Sequence, residues 1–141
     1  MSATGIEAFD STQQKTNIWL NDVMAALNWE ERRKAYLALR TTLQALRDRL
    51  ILEEAVHLGA QLPMLIRGFY YEGWRPTATP VKDHKEEFLT HIADAFQNDL
   101  NVDPETVVRA IFKVLAKYIA DGEIADVKAL LPKDLAALWP R

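Results

Sequence analysis

The chain contains no cysteine. Disulfides, zinc thiolate centres and cysteine nucleophiles are therefore excluded together, and the composition suits a reducing compartment. Glycine is scarce, at 5 residues, and none of it forms a phosphate-cradling loop; a nucleophile elbow and a zinc-protease helix are absent as well. No apolar run approaches the roughly 18 residues that a membrane-spanning helix requires. The N-terminal segment MSATGIEAFDSTQQKTN has no basic stretch followed by an apolar core, so no secretory signal is expected and the expected location is cytoplasmic. A net charge of -3 and a pI near 5.6 supply no field that would gather phosphate backbones or anionic lipid, which argues against nucleic acid and membrane partners. Period-two alternation is never sustained, so no strands are predicted.

What is present is a helical pattern that occurs twice. The length of 141 residues suits one domain with one core. Pro63 and Pro132 lie 69 residues apart (132 minus 63), and that offset, without a gap, aligns apolar positions through most of the two halves. Trp19 meets Phe88, Val23 meets Ile92, Leu39 meets Val108, Leu43 meets Phe112, Leu50 meets Ile119, and Tyr70 meets Trp139. Within each half the spacing is that of buried helix faces: Leu39, Leu43, Leu46 and Leu50 follow a four, three, four rhythm that Val108, Phe112, Leu115 and Ile119 copy.

Boundary chemistry completes the pattern. Asn28 to Glu31, NWEE, fits a capping box with Asn28 as the N-cap, and Asp103 before Pro104 fits the start of the corresponding helix in the second half. Pro63 and Pro132 are each expected to begin a last short helix. The predicted order in each half is long helix, long helix, short helix, short helix. EGWRPTATPVKD, Glu72 to Asp83, is the linker. A half of about 60 residues buries too little surface to stand alone, so the halves should pack on each other. The predicted architecture is all-α: two tandem four-helix half-repeats packed about a pseudo-twofold axis as one compact helical domain over residues 1–141, with half-repeat one at about 11–71, the linker at about 72–83 and half-repeat two at about 84–139.

The strings LQALRDRL, HLGAQLPMLIRGFYYEGW and GEIADVKALLPKDLAALW closely resemble the bacterial domain of unknown function 2267 family. The resemblance covers the chain from about Phe9 to Trp139. It implies an all-helical, cytoplasmic protein of prokaryotic type, and it brings no catalytic residues with it.

Three sets of residues are candidate sites. Phe69 and Tyr70 align with Leu138 and Trp139 and so fall on core positions, whereas Tyr71, Trp74 and Arg75 have no such partners. Either they staple the linker to the helices, or they form a partner or ligand patch, since Trp, Tyr and Arg are enriched at binding hot spots. Arg33, Arg40 and Arg47 recur every seven residues, a stripe about 20 Å long at a rise of about 1.5 Å per residue; it is either a solvated helix face or a surface for an acidic partner. Arg40 aligns with Arg109 and Glu54 with Glu123, which suggests a structural job performed twice. Direct pairing of Arg40 with Glu54 does not follow, because a third helix folding back at about Leu52 leaves Glu54 near Asp48. His84, Glu87 and His91 lack the duplicated Glu-x-x-His pattern of bundle metal sites and are read as exposed polar residues, and His57 as a rim residue. No metal site and no cofactor is expected. The functional expectation is a non-enzymatic interaction or structural module able to bind a protein partner or a second copy of itself; the alternative is a carrier of a small apolar ligand lodged between the halves.

Overall fold

The computed structural model describes residues 3–141; Met1 and Ser2, which open the N-terminal segment and the predicted domain, lie outside the described residues. Among the described residues the chain is all-helical, with no strand. The helices are α1 (Glu7–Leu27), α2 (Arg32–Arg49), α3 (Leu52–Ala60), α4 (Met64–Tyr71), α5 (Lys85–Ala95), α6 (Pro104–Tyr118), α7 (Asp121–Ala129) and α8 (Lys133–Ala136), with a 3-10 turn at Pro76–Ala78 between α4 and α5.

Helices α2 and α6 pass through the centre and touch each other. Helix α1 packs on both of them, and so does α5. Their apolar faces make the core: Leu39, Leu43 and Leu46 of α2 and Val108, Ile111, Phe112 and Leu115 of α6 are fully buried. Burial of this kind stabilises by roughly 1.5–3 kcal/mol for each large apolar side chain, which explains why the four, three, four spacing was a sufficient signal. Leu50 and Ile119, both buried, leave the helical region at the ends of α2 and α6, with φ of −97° and −95°. The chain then turns back into α3 and α7, whose first residues, Leu52 and Asp121, lie 69 residues apart and which both run for 9 residues. These two short helices meet each other.

The short last helices begin directly after Pro63 and Pro132, as predicted. Asp103 caps α6 by accepting the Thr106 backbone N–H at 3.2 Å, with Pro104 in the first turn. Asn28 differs from its predicted role. It ends α1 in the left-handed conformation, at φ 56° and ψ 43°, and Glu31 takes the N-cap position of α2. Asn is among the few residues that tolerate this region without large strain, so its chemistry suits a C-terminal cap as well as an N-terminal one.

The segment between α4 and α5 is tied to the end of α2. The Val81 N–H donates to the Asp48 carbonyl at 2.8 Å, and Arg49 Nε donates to the Asp83 carbonyl at 2.7 Å. Helix α1 starts far earlier than its counterpart: Lys85, which opens α5, aligns with Thr16, so the turns from Glu7 to Lys15 have no α-helical equivalent, only the 3-10 turn at Pro76–Ala78. This extension lies against α4, where the Thr12 hydroxyl accepts the free N–H of Leu65 at 2.8 Å. A side chain from another helix thus fills the capping role at α4, where Pro63 offers none.

Candidate functional site

The extension of α1 creates a groove. Between its first turns, α4 and the outer edge of α2 lies a cavity of about 890 Å³ lined by Phe9, Leu20, Tyr36, Met64, Leu65 and Phe69, with Gln13, Asn17 and Glu72 among its polar residues. Phe9 is 47% exposed, Met64 47% and Leu65 45%, so its walls are apolar and open to solvent. Tyr36 meets buried Phe69 edge-on at 5.3 Å between ring centres. No groove residue was among the candidate site residues read from the sequence; Phe69 was placed in the core and Glu72 at the start of the linker. Met64 and Leu65 directly follow Pro63 and fall outside the buried spacing of Ile66, Phe69 and Tyr70, and Phe9 lies in turns that the offset of 69 pairs with the linker.

Of the predicted aromatic patch, Tyr71 and Trp74 are half-buried and Arg75 is exposed, beside the core position Tyr70. Tyr70 is fully buried, and its hydroxyl donates to the Ala55 carbonyl at 2.7 Å; burial first, then the neighbouring Tyr71, pushes the phenol far above its ordinary range. Tyr71 lies against Gly59, where an added Cβ would collide with its ring. Trp74 stacks on Tyr71 at 5.4 Å and, like it, is half-buried against the core. The Trp74 indole N–H is enclosed without a partner. Arg75 is exposed.

The three arginines of the predicted stripe occupy three different environments. Arg33 is exposed. Arg40 pairs with Glu72 at 2.6 Å, whereas its aligned counterpart Arg109 pairs with Glu105 of its own helix at 3.0 Å; the two do not perform the same job. Arg47 is only 4% exposed. It donates to the Tyr70 and Glu72 carbonyls at 2.8 and 3.0 Å and pairs with Asp48 at 2.8 Å. Its Nη1 serves both carbonyls at the end of α4 while Nε holds Asp48, a task suited to a planar group with several fixed donors.

The polar residues of α5 do not converge. The His84 N–H donates to Glu87 at 3.1 Å, a capping interaction at the start of the helix, and His91 pairs with Asp83 at 2.9 Å.

A second constellation sits where α3 meets α7. Glu54, His57 and Glu123 each place one ligand-type atom within 4.8 Å of the others. Glu123 is only 9% exposed. One oxygen of each carboxylate, Oε2, is shut off from solvent and receives no hydrogen bond from any backbone, hydroxyl or amide donor. Burial above all, then the hydrogen bond and negative charge of Glu54, with a further contribution from Asp126, push the Glu123 carboxyl up to about 8. Glu54 does not pair with Arg40, as its distance along the chain implied. It faces instead the residue with which the offset of 69 aligns it. The His57 ring stands on the solvent side, its Nδ1 3.8 Å from Glu54 Oε2.

No helix among the described residues is long and apolar enough to cross a membrane. No curated protein matches the chain. The family model for the uncharacterized conserved protein DUF2267 matches residues 16–138, and the chain belongs to that family.

Proposed function

We propose that this protein is a non-enzymatic, cytoplasmic interaction module that receives an amphipathic helix of a partner protein in the groove between α1 and α4. The observation that carries this reading is the groove itself, about 890 Å³ with Phe9, Met64 and Leu65 each nearly half exposed. Contiguous apolar surface rimmed by polar groups is the usual mark of an interaction site, and a trough between helices suits the apolar face of another helix. The α1 extension that builds the groove has no α-helical counterpart before α5, so one half supplies the shared core pattern and also a surface the other lacks. The aligned bounds of α3 and α7, and the reciprocal packing of α1 and α5 on α2 and α6, support the doubled architecture on which this asymmetry is superimposed.

A photo-crosslinking residue at Gln13, in the groove, tests the reading in cells. A discrete protein adduct is expected, abolished by Leu65→Glu and absent when the probe sits at exposed Thr90. An adduct that persists in Leu65→Glu, or none at all, would overturn it. The cavity volume also falls within the range of small-ligand pockets, so a small apolar ligand is the second reading; native mass spectrometry would then show a co-purified small mass that Leu65→Glu removes, with no protein adduct.

A further inference from the structure

We propose that Glu54, Glu123 and His57 hold one first-row divalent cation of the zinc class across the junction of α3 and α7. A buried carboxylate, Glu123, facing a half-buried one, Glu54, without a compensating charge is costly, and the cost is removed only by a proton or a cation. No cationic side chain is among the groups that act on Glu123. Arg47, a cation deep in the adjoining core, is spent on Asp48 and on the Tyr70 and Glu72 carbonyls. Neither enclosed Oε2 atom receives a backbone N–H or a hydroxyl or amide donor, and Glu123 is only 9% exposed.

A proton alone would leave His57 without a part in the cluster. Its ring, more than half exposed, sits where an imidazole nitrogen can close the set, within 4.8 Å of both carboxylates. Bond lengths of about 2.0–2.2 Å to a central ion need modest inward rotation of these side chains, and exposed His57 is free to make it. Two carboxylates and one imidazole match the preference of zinc-class ions, whereas magnesium and calcium favour all-oxygen shells with more ligands than this junction offers. Water would complete the coordination. Because Glu54 belongs to α3 and Glu123 to α7, the ion would fasten the first half of the chain to the second.

The test is calorimetric titration of the full chelator-stripped chain with zinc chloride near neutral pH, with a thermal melt of each mixture. One equivalent should bind, raise the melting temperature of the wild type, and resist competition by magnesium. Glu123→Gln should abolish binding, and His57→Ala should weaken it by roughly tenfold or more, the ordinary scale for loss of a metal-supporting group. His57 is exposed, so its replacement leaves the fold intact and keeps the test decisive. The double variant His84→Ala/His91→Ala should bind as the wild type does. Absence of stoichiometric binding at millimolar zinc would overturn the proposal, as would binding unaffected by Glu123→Gln and His57→Ala.

Discussion

Glu54 and Glu123, 69 residues apart in the chain, bring carboxyl oxygens within 4.8 Å of each other at the contact of α3 with α7. With chelator present, this relationship has a definite pH signature. Glu123 is raised from the ordinary 4.5 to about 8 by burial and by Glu54, so the folded chain holds a proton that the unfolded chain releases. Its stabilising contribution is complete below about pH 4.5 and is lost as pH rises towards 8. Glu54, His57, Asp126 and Tyr70 surround the same carboxyl. Replacing Glu123 with Gln should flatten that slope and raise the melting temperature at pH 8 relative to the wild type. A variant less stable than the wild type at that pH would show that like-charge repulsion is not the controlling interaction.

Arg47 should prove indispensable while Arg33 does not. Arg47→Lys keeps the charge, but its single nitrogen cannot hold Asp48 as Nε does while also serving the Tyr70 and Glu72 carbonyls as Nη1 does, and the change should cost about 2 kcal/mol, the scale for a hydrogen bond to a charged group left unmade. Arg33→Ala, at an exposed position, should stay within about 0.5 kcal/mol. Urea denaturation of both variants measures the contrast; equal losses would refute the distinction.

Gly59→Ala should loosen the aromatic stack. The new methyl group would occupy the space of the Tyr71 ring, which in turn stacks on Trp74. Overpacking of this kind costs about 1–3 kcal/mol. Tryptophan emission should shift to the red as Trp74 gains water, and an unchanged spectrum with unchanged stability would show that Tyr71 yields without cost.

Asp22 should contribute on the acid side. Burial opposes its ionised form, yet the Tyr118 hydroxyl and Lys117 together hold its carboxyl below the ordinary value. Stability from this group is present above the unfolded-state pKa near 3.8 and is lost as pH falls through the lower folded value. Asp22→Asn should therefore lower stability at neutral pH by less than about 1 kcal/mol, the scale for a pair that solvent still reaches, and the deficit should vanish in strong acid. A deficit that stays constant from neutral pH into strong acid would assign it to packing around Trp19, which stacks on Tyr118 at 5.0 Å.

The helices were legible because their buried faces repeat at short intervals. Leu39, Leu43 and Leu46 mark α2 without any knowledge of what covers them, and Pro63 and Pro132 announce the short helices that follow. Asn28 was legible only as a cap. Its side chain suits either end of a helix, and the backbone conformation that decides between them depends on where α1 and α2 cross. The arginine stripe failed as a unit for a similar reason: a spacing of seven places side chains on one helix face, but Arg47 is buried because α4 comes back over that end of α2, and nothing local to Arg47 encodes the return.

The amino-acid order by itself determined an all-helical chain, the starts of α4, α6 and α8, and the apolar positions that leave water, because periodic burial is a local property of sequence. Tertiary structure alone decided which polar groups meet. The apposition of Glu54 with Glu123, the burial of Arg47, and the groove that α1 opens beside α4 each depend on the angle and depth at which helices distant in sequence pack, and those are set by the whole core at once.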